Sequence, residues 1–428
     1  MKFIADFHIH SRFSRATSRE ITTANLAKWA QIKGIKVLGT GDFTHPLWFK
    51  ELKTTLEPAE SGLFKLKSKY IEKKPNNDFV VDAEKTRFIL TTEISCIYSK
   101  NERVRKIHVL IISPTLEAVE KINTRLEWIG NLKADGRPIL GLDAKELLKI
   151  VLQLSPASVI IPCHAWTPWF SIFGSKSGFN SLEECFEEYS KYIFAVESGL
   201  SSDPAMNWRL SGLDRLAIIS NSDCHSVQKM GREANVFDTD LNYRAIMEAI
   251  KQKNPKKFLY TIEFFPEEGK YHFDGHRACN ICFSPQETKK NKGRCPKCHR
   301  PLTIGVLNRV EELADRAIGE KPAGTIPFKS SVPLEEIIGD ALGVLPGAKR
   351  VTGEYQSLIR RFGDEFTILL ETGLSDLAAS TLPEITEGIK RVRENKLIID
   401  PGYDGVYGKV RIFNDGEQKT ISKQKALF

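Results

Sequence analysis

A chain of 428 residues has the length for two or three domains and a sizeable core. With 41% hydrophobic and 27% charged residues it has an ordinary soluble composition, and its apolar runs are strand-sized, which excludes a membrane span. No cationic flank precedes an apolar block at the N-terminus, so a cytoplasmic protein is expected, and a net charge of +8 points to a polyanionic partner.

Phe3 to Phe7 reads as a first strand that runs into His8-Ile9-His10. Strand side chains alternate, so histidines at i and i+2 share a face. That geometry suits two nitrogens on one metal ion or on adjacent ions, and equally two buried, hydrogen-bonded imidazoles. Thr22 or Thr23 is expected to cap a helix that Gly34 ends. A second strand, 35–39, delivers Asp42 and His45 past its end. The pattern repeats: 88–90 delivers Glu93, 107–112 carries His108, 159–161 delivers His164, 194–196 delivers Glu197, and 217–219 delivers Asp223 and His225.

Seven apolar strands separated in several places by helical stretches, such as 116–126 and 144–152, predict a parallel α/β architecture. A parallel barrel gathers its strand ends around one mouth, where active sites form. Six of the nine histidines fall in this set, and mixed with carboxylates they suit zinc, manganese or iron, with carboxylates free to bridge two ions. The expected metal ligands are therefore His8, His10, Asp42, His45, Glu93, His108, His164, Glu197, Asp223 and His225. Six of them, His8, His10, Glu93, His164, Asp223 and His225, are expected to be catalytic.

The loop 164–173 carries Trp166, Trp169, Phe170, Ser171 and Phe173 directly after a ligand. Aromatic residues at a barrel mouth either cover the barrel end or stack on a flat substrate, such as a base lifted out of a duplex. Between 46 and 87 an insertion breaks the rhythm and carries Lys50, Lys53, Lys65, Lys67, Lys69, Lys73 and Lys74, a solvated face or a phosphate contact.

Cys279, Cys282, Cys295 and Cys298 form two CxxC knuckles with twelve residues between them, the spacing of a closed structural zinc site. The other four cysteines, Cys96, Cys163, Cys185 and Cys224, are scattered, as in a reducing compartment. Around the knuckles, Lys289, Lys290, Lys292, Arg294, Lys297 and Arg300 make a basic finger suited to a phosphate backbone. Helical patterning follows from 305 onward, and 400–409 is turn-rich. Three glycines there either let the backbone approach a neighbour closely or form a hairpin turn. The expected domains are thus 1–260, a zinc module at 261–303 and a helical DNA-binding domain at 304–428.

The His-x-His opening, Gly39-Thr40-Gly41-Asp42, Thr92-Glu93, Cys163-His164 and Ser222-Asp223-Cys224-His225 resemble the motifs of the polymerase and histidinol phosphatase (PHP) superfamily. The resemblance implies a distorted seven-stranded (β/α)7 barrel holding up to three metals. Two positions depart from it: Ser11 to Ser18 contain no third histidine, and Phe43, not histidine, follows Asp42. The whole order of barrel, zinc module and helical domain resembles the endonuclease Q family. That implies a DNA repair nuclease using Mg²⁺ or Mn²⁺ to nick 5′ to hypoxanthine, uracil, xanthine or an abasic site. The lesion base would sit in a pocket near Trp166 to Phe173. The last residues, with Gln424, Leu427 and Phe428, resemble the opening of a sliding-clamp-binding peptide. A phosphatase of a small phosphoester and a non-enzymatic DNA-binding scaffold are the alternatives.

Overall fold

Strand Lys2–Asp6 is covered on both faces, with Phe3 and Ala5 buried in one core and Ile4 packed against another. In the computed structural model, which describes residues 1–71, 82–414 and 416–418, it pairs in parallel with Val37–Gly39, which pairs in parallel with Arg87–Lys100. Helix Thr23–Lys33 makes the first crossover. The Thr22 side chain caps it by accepting from Asn25 N–H, and Gly34 closes it in the left-handed conformation.

From there the sheet departs from the expected all-parallel order. Arg87–Lys100 is fourteen residues long and folds back on Arg103–Ser113 as an antiparallel hairpin, and Val159–Pro162 is antiparallel to that in turn. The expected strands 88–90 and 107–112 are thus parts of longer ones, the first at the start of Arg87–Lys100 and the second within Arg103–Ser113. The connection Asn101-Glu102 is a two-residue turn with both φ values positive, the geometry that matches the twist of a hairpin, whereas a parallel crossover needs a dozen residues or more. Ala195–Glu197 and Ala217–Ile219 form a separate parallel pair. This returns to the first strand through a bridge between Ile9 and Cys224. On the other flank, Ala234–Asp238 pairs antiparallel with Lys2–Asp6, and Phe258–Glu263 pairs antiparallel with Ala234–Asp238 in turn. The fold is mixed α/β.

Part of the stretch expected to open the helical domain packs elsewhere. Helix Val306–Leu313 buries Val306 and Val310 in the main core, and Arg309 bonds the carbonyls of Phe173 and Phe179. Phe328–Ser330 adds a parallel strand beside Phe258–Glu263. A third core gathers the helices between Leu334 and Arg393. It docks on helix Thr23–Lys33 through a buried Lys33–Glu365 ion pair at 2.6 Å, with Tyr355 also donating to Glu365. Lys73, Lys74 and the clamp-like Gln424, Leu427 and Phe428 lie outside the described residues. No helix among the described residues is long and apolar enough to cross a membrane.

Candidate metal centre and its cavity

Asp42, His164 and Asp223 each stand a few residues past a strand end and take positive φ values of 49°, 28° and 45°. Non-glycine residues adopt this left-handed region at a cost of about 1–3 kcal/mol, and such strain concentrates at functional sites. Here the turn directs three polar side chains back over the ends of the strands that precede them. Glu93 and His108 arrive differently, from within the long hairpin, where they face the same space. An antiparallel strand brings its beginning to the end where parallel neighbours finish, which is why His108 reaches the site from the start of an apolar run.

Two donor sets meet at Glu93. His8, His10, Glu93 and Asp223 offer ligand atoms all within 4.8 Å of one another, and so do Glu93, His108 and His164. His10 Nε2 is 2.9 Å from Asp223 Oδ1 and 3.3 Å from Glu93 Oε2. His8 Nε2 is 3.6 Å and 3.7 Å from the same two oxygens. On the other side, Glu93 Oε1 lies 2.7 Å from His108 Nδ1 and 3.1 Å from His164 Nε2.

The donor set fits metal ions. His8 Nε2, His10 Nε2 and Asp223 Oδ1 are buried and face one another without a well-directed hydrogen bond, whereas the opposite ring nitrogens are tied down. His8 Nδ1 is 3.0 Å from Glu197 and His10 Nδ1 is 3.0 Å from Asp42. A carboxylate on one imidazole nitrogen with the other left bare is the arrangement that orients metal-binding histidines. Glu197 is fixed by Asn221 and by the backbone N–H of His164, and Asp42 by Ser11 and Ser14. Glu197 and Asp42, expected as ligands, thus bond the far nitrogens of the two histidines, and Glu197 also has donor atoms of His8 and Cys163 within 4.8 Å.

Electrostatics agree. Full burial favours neutral imidazoles, yet Glu197 beside His8 and Asp42 beside His10 outweigh it and raise both pKa values well above the histidine range. Burial opposes charge on Glu93 too, but His108 and Arg137 hold it well below the carboxylate range. His108 itself is pushed down to about 4 by burial despite Glu93, so it is a neutral donor at pH 7. So many buried carboxylates demand positive charge, which ions would supply.

The structure leaves out two expected ligands. His45 heads helix Pro46–Thr55 and stacks on Phe13 with ring centroids 4.4 Å apart, away from both donor sets. His225 is half-buried, its ring 4.6 Å from that of His10 and its Nδ1 2.9 Å from the Asp223 carbonyl. Sequence reading missed Arg137, whose guanidinium is 3.0 Å from Glu93 Oε2. It comes from a loop 44 residues beyond Glu93, and a lone arginine in a loop carries no local signal.

A cavity of about 760 Å³ opens beside the cluster, lined by His108, Arg137, His164 and Asp223 and also by Glu268, Lys270, Tyr271 and Tyr407. Of the aromatic loop, Trp169 and Phe170 line it. Trp166, Ser171 and Phe173 do not: Trp166 and Phe173 are core residues, with Trp166 donating to Asn207, and Ser171 is buried with its hydroxyl on the Thr167 carbonyl. The run mixes wall and core residues because an irregular loop has no fixed period, so sequence does not say which of its side chains face the cavity.

In the small module, His276, Cys279, Cys295 and Cys298 bring their donor atoms within 4.8 Å of one another. His276 thus takes the place expected of Cys282. The reason is register: Asp274–His276 pairs antiparallel with Ile281–Phe283, setting His276 opposite Ile281, so the next residue, Cys282, points to the other face. Its Sγ lies 3.9 Å from the Pro401 carbonyl. The His276-x2-Cys279 spacing, which mimics a knuckle, was the available signal. Burial would raise the Cys295 thiol, but the N–H groups of Cys298 and Lys297 bring it down to about 7, favouring the ligating thiolate. Lys289, Lys290, Lys292, Arg294, Lys297 and Arg300 are all exposed. Arg294 and Lys297 also brace the module, donating to the carbonyls of His299 and Cys279.

A mixed α/β sheet with a buried imidazole–carboxylate cluster opening into a cavity defines a protein of the metal-binding class. Over nearly its whole length, the chain is similar to solved endonucleases. It is 31% identical to the lesion-specific endonuclease PfuEndoQ from Pyrococcus furiosus, covering 96% of this chain and 95% of that one with a TM-score of 0.83. A second structure, endonuclease Q in complex with a 27-mer duplex carrying an abasic lesion at the active site, is also 31% identical. It matches with a TM-score of 0.82 over 97% of this chain and 98% of the other. The chain belongs to the endonuclease Q family. The MJ0043 C-terminal domain family matches residues 333–396, within the helical region. Uncharacterized protein YqxK of Bacillus subtilis is 28% identical over 96% of this chain and 99% of its own length. Uncharacterized protein MJ0043 of Methanocaldococcus jannaschii is 34% identical over 58% of this chain, a match spanning only 31% of that protein.

Proposed function

We propose that the chain is a metal-dependent DNA endonuclease that nicks the phosphodiester 5′ to a deaminated base (hypoxanthine, uracil or xanthine) or an abasic site. The lesion nucleotide is turned out of the duplex into the cavity beside Glu93. Supporting this is the near full-length likeness to endonuclease Q, one structure of which holds a duplex with an abasic lesion. Here the same fold carries a buried cluster opening into a cavity of small-ligand size. We read the strands around the cluster as a distorted PHP-type barrel.

His8, His10, Glu93 and Asp223 would hold one ion and Glu93, His108 and His164 a second, Mg²⁺ or Mn²⁺ for cleavage, with zinc in the small module. Such ions supply an activated water and neutralise charge on the phosphate. The rest falls to the side chains. Glu197 and Asp42 keep the bare Nε2 atoms of His8 and His10 aimed inward. Arg137, already at the cavity wall, is placed to take a non-bridging phosphate oxygen by a charge-assisted hydrogen bond. Trp169 and Phe170 offer flat faces to a base, and weakened pairing of a damaged base lowers the cost of extrusion by a few kcal/mol. The exposed basic finger contacts the backbone.

The test is an end-labelled duplex with one hypoxanthine, incubated with Mg²⁺ or Mn²⁺ and either the wild-type chain or Asp223→Ala. One cut 5′ to the lesion, absent with the variant and on undamaged duplex, is expected. Hydrolysis of a generic small phosphoester without any cut in DNA would replace this reading with a phosphatase.

A further inference from the structure

The turn-rich segment 401–408 is fixed firmly against residues 267–273. Gly402 N–H donates to the Glu267 carbonyl at 2.8 Å, Gly405 N–H to that of Lys270 at 2.9 Å, and Gly408 N–H to that of Glu268 at 3.1 Å. Phe273 N–H returns a bond to Gly402 at 2.9 Å. The two backbones approach so closely that a Cβ on Gly402 would lie 2.3 Å from the Gly269 oxygen, and one on Gly408 2.0 Å from the Glu267 oxygen. Both positions require glycine for that reason. Side chains secure the other edge: Tyr403 donates to Asn280, and Asp404 accepts from Arg277 N–H and from Thr303.

On this mount stands Tyr407, 67% exposed, at the rim of the cavity. A single exposed aromatic residue needs no explanation by itself. One on a turn pinned along its length, beside the cavity that would take a nucleotide, is placed for a task. Lys270 Nζ lies 4.9 Å from the ring centroid, putting an ammonium group beside the ring where a flanking phosphate would pass. Trp169, also lining the cavity, is the face assigned above to the flipped base and is held by a T-shaped contact with Tyr271, ring centroids 5.7 Å apart.

Taking a base out of a duplex leaves a gap one base thick between two stacked pairs, and enzymes that bend or open DNA fill such gaps with a side-chain wedge. A tyrosine on a rigid turn loses little entropy in doing so. On the endonuclease reading above, we infer that Tyr407 inserts into the duplex where the lesion base has left and holds the flipped state open.

The test compares two substrates with the full chain: a fully paired duplex with one hypoxanthine, and the same strand with the lesion inside a three-base bubble, where no stack remains to be filled. Tyr407→Ala is expected to slow cutting of the paired duplex roughly ten- to hundredfold. The bubble-to-duplex rate ratio rises accordingly, and Tyr407→Phe restores it. With 2-aminopurine opposite the lesion, the wild-type complex should quench the fluorescence that Tyr407→Ala leaves bright. Equal slowing on both substrates would place Tyr407 on the flipped nucleotide, and no slowing on either would leave it outside the contact; both overturn the wedge. Failure of the wild-type chain to cut either substrate overturns the endonuclease reading itself.

Discussion

The two donor clusters of this protein are built by opposite means. Around Glu93 the surrounding polypeptide does the organising: every donor rises from a buried strand or strand end, and Glu197 and Asp42 fix the far nitrogens of His8 and His10. In the small module, three donors are only part-buried or exposed, and they sit on a hairpin and a turn with little apolar core of their own. A metal ion would complete the first cluster and create the second, since small modules gain from the ion the stability that their cores lack.

The sharpest way to break that contrast is to remove metal. Structural zinc contributes on the order of 10 kcal/mol in small modules. Strong chelation should therefore raise amide exchange across 274–303 by orders of magnitude while strands 2–6 and 87–113 stay protected, as read by hydrogen exchange with mass spectrometry. His276→Ala and Cys295→Ser should mimic chelation, and Cys282→Ser should keep one zinc per chain in the module by atomic absorption. Loss of zinc in Cys282→Ser with retention in His276→Ala would restore the four-cysteine set.

A second prediction concerns the cost of organising the main cluster from buried polar groups. Glu263 is fully buried and accepts from Ser220, Thr261 and Ser198, the last of these next to Glu197 in the chain. Burial outweighs those bonds and pushes its pKa from the ordinary 4.5 up to about 7. The folded state thus holds this proton more tightly than the unfolded chain. Its contribution is fully present below pH 4.5, is lost as pH rises through 7, and integrates to about 3 kcal/mol. Glu263→Gln, measured by urea denaturation between pH 5 and 8, should flatten that part of the profile. An unchanged slope would mean that the carboxyl is already charged in the fold.

Third comes the orienting shell. Asp42→Asn keeps size but removes the charge that holds His10 Nδ1. Mutating such a partner typically costs 10–100-fold in metal affinity or activity. A drop of that size in metal affinity by calorimetry, with unchanged thermal stability in the metal-free state, separates orientation from folding. A larger drop that needs excess metal to saturate would instead return Asp42 to the ligand set.

What the sequence made legible follows the same division. Strand alternation announced His8 and His10, and the rule that polar residues follow short apolar runs announced Glu93, His164 and Asp223, because both signals are local in the sequence. His45 misled because it satisfies the same rule while the helix begun by Pro46 carries it away. Arg137 was invisible, since the signal for it is three-dimensional. The all-parallel expectation failed at Asn101-Glu102, a turn too short for any crossover, and that detail outweighs the apolar pattern of the strands around it. In the small module a one-residue change of face sets His276, and not Cys282, beside the other three cysteines, and periodicity of two can reveal this only once the hairpin register is known.

The smallest expected effect tests whether the module's job is electrostatic. Lys289 and Lys290 close the short helix Pro285–Lys290, whose capping box uses Ser284 and Glu287, so both charges stand at the helix's negative end and cost the module nothing to display. Each phosphate contact contributes about 0.9 to the slope of log affinity against log salt. Replacing both lysines by alanine should lower that slope by about two and weaken binding alike on damaged and undamaged duplex, measured by fluorescence anisotropy across a salt series. Selective weakening on damaged DNA would mean that the finger reads the lesion. An unchanged slope would leave the module as a brace that holds Tyr403 and Asp404, and through them the turn carrying Tyr407, in place.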